Sequence, residues 1–209
     1  MPYYCESFPD AINHMSPSVS MYVHEVLTNR IDPPRSVLDL GAGNGRNSLA
    51  LARRFNCETT LVDCDPKMLE MASHHFGILN LKKPTVLACQ LENLSDVREL
   101  GDRKFDVVIM SYVLHHIEPH HHQAILEFCK ARVRGHLLVD VYWNRLRCAV
   151  GQYVHLPDAN WYGLSYEELA DQLSSRFKIE YDRIQILATN VVFNLVLSLI
   201  HISEPTRPY

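Results

Sequence analysis

The chain has 209 residues, enough for one domain of ordinary size with a buried core. Its composition is that of a globular protein, with 47% apolar and 21% charged residues, and its formal net charge is −4. This composition excludes a low-complexity or disordered chain. The sequence has no dense run of lysine or arginine that would indicate a nucleic-acid surface, and no segment approaches the ~18 uninterrupted apolar residues of a membrane span.

The N-terminal region, residues 1–30, predicts a helical cap in front of the first strand. Ser16 offers an N-cap and Pro17 occupies the first helical position. Apolar residues then repeat at helical spacing, which predicts a helix over residues 17–29. Two interpretations stay open here: a helix that covers the edge of a sheet, and a lid over a ligand.

A strand, a glycine-rich turn and a helix follow. Val37 and Leu38 begin a short apolar run of the kind that forms a strand buried on both faces. An apolar segment with arginines at its end predicts a helix over residues 46–54. The glycines of the turn occupy alternate positions: Gly41, Gly43 and Gly45. Residues without Cβ let backbone approach a ligand closely, and the helix N-terminus beyond them suits a carboxylate or a phosphate.

The spacing of these glycines separates two classes of ligand. The dinucleotide fingerprint G-x-G-x-x-G requires a glycine at position 46, where this chain has Arg46. Instead an acid, Asp39, stands two residues before the first glycine. The run D-L-G-A-G-N-G that begins at Asp39 resembles the D-x-G-x-G-x-G motif of class I S-adenosylmethionine-dependent methyltransferases.

The second predicted strand covers residues 59–63 and ends in an acid, Asp63. Asp65 and Pro66 then supply the N-cap and the first position of another helix. Asp63 stands 20 residues after Gly43, and a carboxylate at this spacing can accept hydrogen bonds from ribose hydroxyls. We favour this role over that of an ordinary aspartate at the end of a strand.

The third predicted strand covers residues 85–89 and is followed by Gln90 and Leu91. The family usually has Asp or Glu at the position of Gln90, in contact with the adenine amino group. The side-chain carbonyl of glutamine can still accept from an amine, without the help of a charge. The resemblance implies that Gln90 and the backbone N–H of Leu91 face the adenine.

The fourth predicted strand covers residues 105–110, and the stretch FDVVIMSYVLHHI that contains it resembles the fourth motif of the same family. His115 and His116 are the candidate general bases if the acceptor needs deprotonation. The alternative is that both are structural. A helix is predicted from Pro119, and its three histidines at 120–122 point in three directions, so they predict no metal site.

The remaining elements complete the predicted sheet. A fifth strand over residues 135–143 is followed by a long segment, 144–163, that we interpret as a substrate cover. A capping box at Ser165 starts a further helix, and two closing strands follow, over 178–186 and 190–197. The order predicts an α/β fold: a doubly wound, Rossmann-like, mostly parallel sheet of seven strands, the last antiparallel, with helices on both faces.

The last residues call for a separate interpretation. Residues 197–207 resemble the translation of a transposon-end adapter used in sequencing libraries, and we therefore expect 197–209 to be a non-native tail. The apolar residues at its start can still extend the final strand. On this interpretation residues 1–196 form a single methyltransferase domain.

The resemblance implies a cofactor, S-adenosyl-L-methionine, lying across the carboxyl ends of strands one to four. The glycines would pass the methionine part, Asp39 would balance its ammonium directly or through water, and Asp63 would hold the ribose. The implied cofactor-binding residues are Asp39, Gly41, Ala42, Gly43, Gly45, Asp63, Cys64, Gln90, Leu91, Ser111 and Tyr112.

The sequence thus predicts methyl transfer from S-adenosylmethionine to a small-molecule acceptor that it does not identify. The alternatives are an NAD-dependent oxidoreductase, a non-catalytic cofactor-binding protein of the same fold, and an enzyme that hydrolyses the sulfonium or uses its carboxylated relative. The six cysteines are scattered without a C-x-x-C pair, which is typical of reduced thiols in a cytoplasmic protein. The oligomeric state stays open.

Overall fold

The computed structural model describes three parts of the chain: residues 33–144, 166–187 and 190–199. Four predicted features lie outside these residues: the cap over 1–30 with its helix over 17–29, the substrate cover after residue 144, the capping serine at 165, and the tail beyond residue 199.

The strands fall within two residues of their predicted bounds. They are β1 (Ser36–Leu40), β2 (Glu58–Asp63), β3 (Thr85–Ala88), β4 (Phe105–Ser111), β5 (Val133–Asn144), β6 (Phe177–Leu187) and β7 (Asn190–Leu199). The last strand includes residues of the stretch that resembles an adapter. That the stretch is non-native stays a prediction.

The helices follow the strands in the predicted alternation. They are α1 (Arg46–Phe55), α2 (Pro66–Ile78), α3 (Pro119–Arg132) and α4 (Tyr166–Ser174), with short 3₁₀ helices at Leu91–Asp96 and Leu114–His116. The predicted start of α2 is confirmed, because the Asp65 side chain accepts a hydrogen bond from Lys67 N at 2.9 Å and Pro66 stands at the first helical position. No helix in the described ranges has the length and apolar character that a membrane crossing requires.

The described strands form one seven-stranded sheet in the order β3-β2-β1-β4-β5-β7-β6. The first five strands pair in parallel, and β7 runs antiparallel to both β5 and β6. The predicted fold class, including the antiparallel last strand, is therefore confirmed.

The core lies on both faces of this sheet because the side chains of each strand alternate. On β4, Val107 and Ile109 join Leu51 of α1 and Phe76 of α2 on one face. The next residues along, such as Val108, belong to a second cluster on the other face, which also contains residues of α3 and α4. Near-continuous apolar strands are the sequence signature of such a sheet.

Chain order reverses between β1 and β4, and this position fixes where a ligand can bind. From β1 the chain winds outward through β2 to β3, then returns to form β4 on the other side of β1. The connections that leave the carboxyl ends of β1 and β4 lead to helices on opposite faces of the sheet, the arrangement that forms a ligand crevice in open α/β sheets. Ligands of open α/β sheets bind at this switch point.

Candidate functional site

The glycine-rich turn after β1 is folded onto the end of β2. The backbone N–H groups of Gly41 and Ala42 both donate to Val62 O, at 2.8 and 3.0 Å, and Gly45 N donates to Ala42 O at 2.9 Å. The φ angles of Gly41, Gly43 and Gly45 are +71°, +51° and +76°. Left-handed backbone at three alternate positions explains why the sequence uses glycine there.

The three glycines differ in how much room their surroundings leave for a side chain. A Cβ at Gly41 would lie 2.2 Å from Val113 Cγ2, and one at Gly45 would lie 2.9 Å from the Cβ of Ala72. A Cβ at Gly43 would meet no described atom closer than Met68 Cε at 3.9 Å. Internal packing therefore explains the first and third glycines, whereas Gly43 faces open space. Of the three, Gly43 best fits the predicted role of letting a ligand approach the backbone.

Asp63 connects the end of β2 to the glycine turn. Its Oδ2 accepts a hydrogen bond from Gly43 N at 2.7 Å, and its Oδ1 accepts from Asp65 N at 2.9 Å. The side chain is buried, with 5% of the residue exposed. Each carboxylate oxygen has a second acceptor position, so these backbone bonds orient the group without using up its capacity for ribose hydroxyls.

Asp39 lies deeper than its predicted role required. The residue is 2% exposed, and its Oδ2 accepts from Ser48 Oγ at 2.7 Å. Because Gly45 provides no side-chain cap for α1, this carboxylate also takes up the Ser48 N–H at the start of the helix. The group orders the turn and the helix together. Its predicted action on a ligand ammonium stays a prediction, and a water is the route better suited to such burial.

Burial also changes the acid strength of Asp39. The pKa of its carboxyl is raised from 3.8 to about 7, chiefly by desolvation, while the hydrogen bonds of Ser48 oppose this rise. The carboxylates of Asp63 and Asp140 raise the pKa further. Three acids therefore lie close enough to influence one another beneath the crevice, and their field favours a cationic ligand group.

Asp140 is the site residue that the sequence analysis did not single out. It lies on β5 beside Ser111 of β4, is fully buried, and its Oδ2 accepts from Ser111 Oγ at 2.7 Å. The signal in the sequence is an acid within the otherwise apolar run of the fifth strand. A buried carboxylate at that position needs a donor, and Ser111 of the adjacent strand is that donor.

Tyr112 begins the turn after β4 in an unusual conformation. Its φ is +60°, which costs free energy for a residue other than glycine. Its backbone N–H donates to Asp140 O at 2.8 Å. Such conformations persist where surrounding contacts determine them, and they concentrate at functional sites. Ser111 and Tyr112 thus lie side by side at the carboxyl end of β4, and their contact with the cofactor stays a prediction.

The paired histidines of this turn differ in their surroundings. His115 is buried, and desolvation followed by the neighbouring His116 holds its pKa well below the ordinary 6.5. His116 is exposed, and the two ring centroids lie 4.2 Å apart. A buried imidazole that resists protonation is a poor general base. The structure therefore supports the structural alternative for His115 and leaves His116 as the candidate base.

Three further predicted residues lie where β2 and β3 end. Cys89 N donates to Asp63 O at 2.9 Å, which keeps the two strand ends side by side. Cys64 and Gln90 are exposed at these ends, while the Leu91 side chain is buried. The Gln90 carbonyl accepts from Asn93 N at 2.9 Å and so starts the 3₁₀ helix. The predicted adenine contacts thus share one edge of the sheet with Asp63.

The run of histidines at the start of α3 does not converge on one point. His120 is exposed and its Nδ1 lies 3.2 Å from Glu118 Oε2, whereas His122 is buried and bonded to backbone. Within the described ranges, no three side chains of the metal-binding types come together in a possible site.

Comparisons with known proteins agree with this architecture. Residues 37–135 match the family model described as a methyltransferase domain. A carboxy-S-adenosyl-L-methionine synthase of Escherichia coli O7:K1 (strain IAI39) is 28% identical over 128 residues, 58% of this chain and 50% of that protein. This chain therefore spans about half the length of the curated relatives it matches.

Two solved structures illustrate the shared fold. One is a magnesium protoporphyrin IX methyltransferase from Synechocystis PCC 6803 with bound SAH (TM-score 0.68, 20% identity, 87% of this chain and 82% of that chain). The other is the 1,6-didemethyltoxoflavin-N1-methyltransferase of Burkholderia thailandensis with bound 1,6-didemethyltoxoflavin and S-adenosylhomocysteine (TM-score 0.68, 19% identity, 92% and 84%). The three comparisons confirm the predicted methyltransferase fold.

Proposed function

We propose that this chain, which carries a methyltransferase domain over residues 37–135, transfers the methyl group of S-adenosylmethionine to a small-molecule acceptor. The observation that carries the proposal is the bond between Gly43 N and Asp63 Oδ2. It joins an open glycine turn to a carboxylate that can accept from ribose hydroxyls, at the switch point of the sheet. A dinucleotide site would instead require glycine at the position of Arg46.

The residues of the crevice fit the parts of this cofactor. Gly43 leaves room for the methionine chain beside the backbone, and Asp63 suits the ribose. Cys64, Gln90 and the Leu91 N–H lie at the edge proposed for the adenine. The field of the buried acids under the crevice favours the positive charge of a sulfonium over a neutral thioether.

The chemistry asks for alignment more than for a catalytic side chain. When bound, S-adenosylmethionine supplies a methyl group on a good leaving group, and an acceptor atom displaces it in line. Effective molarities of about 10⁵–10⁸ M for well-oriented reactions allow positioning to supply much of the acceleration. In this proposal Ser111 and Tyr112 border the opening, and exposed His116 is the candidate among the described residues for taking a proton from an acceptor that carries one.

The proposal includes a small acceptor and a cytoplasmic setting. The net charge of −4 and the lack of a dense basic run favour a small molecule over a nucleic acid. The cysteines of the described ranges at positions 57, 64, 89 and 129 are free thiols, which supports a reducing compartment.

A panel of nucleotides tests the cofactor assignment. We expect S-adenosylmethionine and S-adenosylhomocysteine to raise the melting temperature, with about 2.7 kcal/mol of stabilisation at ~100 times the dissociation constant, and NAD to have no effect. Stabilisation by NAD alone would support the oxidoreductase alternative. Binding without turnover over a broad panel of acceptors would support a non-catalytic protein.

The site variant Gly43→Val should abolish binding, because its side chain would fill the approach to the backbone. A gentler pair separates this effect from strain: Gly43→Ala and Gly101→Ala each place a Cβ at a positive φ, +51° and +39°. Only the change at Gly43 should weaken binding of S-adenosylhomocysteine in calorimetry, since Gly101 lies away from the crevice in the loop before β4. Equal affinities would contradict the assignment.

A second candidate reaction follows from the similarity to carboxy-S-adenosyl-L-methionine synthases. In that case the cofactor itself would be modified and no S-adenosylhomocysteine would accumulate. Mass spectrometry of the nucleosides after incubation with a pool of carboxylic acids distinguishes the two outcomes: a carboxylated sulfonium supports the second reaction, and S-adenosylhomocysteine supports methyl transfer.

A further inference from the structure

The turn between β4 and α3 contains a single short 3₁₀ helix, Leu114–His116. Its 3₁₀ helix contains two backbone hydrogen bonds, from His116 N to Val113 O at 2.8 Å and from Ile117 N to Leu114 O at 3.2 Å. The chain enters it through Tyr112, whose φ is +60°. A short turn that begins in a strained conformation needs contacts from elsewhere to keep a single geometry.

His122, in the first turns of α3, supplies such a contact. Its ring is 1% exposed, and its Nε2 lies 3.0 Å from both Leu114 O and Ile117 O. Because carbonyl oxygens only accept, Nε2 must carry the proton and share it between them. Its Nδ1 is buried and has no hydrogen-bond partner in the described part of the chain. The ring is therefore fixed in the tautomer protonated at Nε2.

The turn after β4 also packs against the glycine-rich turn. Val113 Cγ2 lies 2.2 Å from the position that a Cβ of Gly41 would take, so the valine side chain packs directly onto the glycine. Three parts of the molecule are thus connected by contacts: His122 binds the carbonyls of the turn after β4, and Val113 of that turn packs on the glycine-rich turn. A displacement of His122 would therefore alter the position of the glycine-rich turn.

We propose that His122 is a positioning residue for the cofactor crevice, because its single Nε2–H holds the turn after β4 in the conformation that closes on the glycine turn. The proposal rests on the proposed function, since its readout is affinity for the cofactor. His122 itself touches neither the crevice nor a reacting atom in this scheme. Without it the turn would sample other conformations, and the apparent affinity would fall with the fraction that is binding-competent.

Three substitutions at position 122 separate the hydrogen bond from the volume of the ring. In His122→Gln the amide nitrogen lies as many bonds from Cβ as Nε2 does, so it can reach the same carbonyls. In His122→Asn it is one bond short, and His122→Phe keeps the ring but has no donor. We expect His122→Gln to bind S-adenosylhomocysteine within about threefold of the wild type, and the other two to bind about tenfold more weakly, in calorimetry.

A control variant removes general loss of stability as an explanation. Leu173→Ala opens a cavity in the core under α4, away from the crevice, and should lower the melting temperature while keeping wild-type affinity. A second readout is ¹⁵N NMR of the His122 ring, in which we expect a protonated Nε2 and a bare Nδ1. A proton on Nδ1 instead would overturn the proposal even if the Phe and Asn variants failed to fold.

The outcomes distinguish this proposal from the one it rests on. If the wild type binds neither S-adenosylmethionine nor S-adenosylhomocysteine, the proposed function fails. If the wild type binds and the Asn and Phe variants bind equally well, or if Leu173→Ala loses as much affinity as they do, only the role of His122 fails. In a double-mutant cycle of His122→Phe with Val113→Ala, the two losses of affinity should be less than additive, because both variants weaken the same contact on Gly41.

Discussion

The two sides of the crevice are built by different means. The glycine-turn wall, residues 39–45 with Asp63, is held by backbone N–H groups that converge on a carboxylate and a carbonyl. The β4 wall, residues 111–117 with Asp140, has backbone hydrogen bonds as well, but it also depends on side chains, through the bond of Ser111 to Asp140 and the contacts of His122 with two carbonyls. One wall depends on glycine, and the other keeps Tyr112 at a positive φ without it.

This difference indicates which wall can vary. The groups of the glycine-turn wall that face the ligand are backbone and one acid, which under the proposed function suit the unchanging part of the ligand, the cofactor. The β4 wall presents side chains, among them Tyr112 and His116, which can be changed without altering the backbone bonds of the first. Under the proposed function, we therefore expect the glycine-turn wall to bind the cofactor and the side chains of the β4 wall to determine which acceptor is preferred.

The largest expected effect comes from the point where the walls touch. Gly41→Ala should lower the free energy of unfolding by about 3 kcal/mol. The Cβ of the alanine would overlap Val113, and its backbone would have to keep a φ of +71°. Urea denaturation measures the loss. Adding Val113→Ala should restore part of it, since the overlap would disappear while the strain would remain.

Gly77→Ala provides the matched control for that prediction. Gly77 lies within α2, and a Cβ there would meet nothing within 4 Å. Gly77 is the second-last residue of α2, so this change should leave the stability unchanged or raise it by at most about 0.5 kcal/mol, through the higher helix propensity of alanine. If Gly41→Ala and Gly77→Ala had the same effect on stability, the predicted overlap between Val113 and a side chain at position 41 would be contradicted.

A smaller effect is expected from the acid of the glycine-turn wall. In Asp63→Asn one oxygen becomes an amide NH₂ that faces the N–H of either Gly43 or Asp65, so a buried donor loses its acceptor. The expected cost is about 2 kcal/mol of stability, with weaker binding of S-adenosylhomocysteine. Thermal denaturation and calorimetry measure the two effects.

Asp65→Asn is the neighbouring control, because asparagine is as good an N-cap as aspartate. Its stability should stay within about 0.5 kcal/mol of the wild type, and its affinity should be unchanged. A loss of affinity in both variants would mean that net charge, and not the geometry of Asp63, governs binding.

The glycine-turn wall was predictable from the sequence because its contacts are local or follow a fixed spacing. The alternate glycines, the acid at the end of β2 and the proline-started helix after it are all visible within about 30 residues. Even there, the sequence did not indicate that Gly41 and Gly45 are required by packing against Val113 and Ala72, because those contacts come from other elements.

The β4 wall was predictable only in outline. Adjacent histidines look alike in a sequence, yet His115 is buried and His116 exposed. In the same way His122 is buried, whereas His121 is half-buried and His120 exposed. The bond from Ser111 to Asp140 joins residues 29 positions apart. Roles of this kind depend on the register of neighbouring strands and on which face of a helix packs inward, which composition and spacing do not specify.

Asp39 begins the glycine-turn wall, and the pKa of its carboxyl responds to acids of both walls. Burial raises the pKa of this group from 3.8 to about 7, Asp63 of one wall and Asp140 of the other add to the rise, and Ser48 opposes it. Between pH 3.8 and about pH 7, Asp39 is therefore protonated in the folded protein and ionised in the unfolded chain. The free energy of unfolding should fall as pH rises across that interval.

Asp39→Asn isolates this dependence, because the amide keeps an oxygen for Ser48 and does not titrate in this range. Between pH 4 and 7, the stability of the wild type should fall relative to the variant by about 1 kcal/mol per pH unit, close to the limit for one proton, and the difference should level off above pH 7. Urea denaturation at a series of pH values measures it. A difference that grew in the opposite direction would mean that the hydrogen bonds of Ser48 outweigh burial. In Ser48→Ala the interval should extend to higher pH, since the hydroxyl that lowers the pKa most would be lost while the backbone N–H and the acids of both walls would remain.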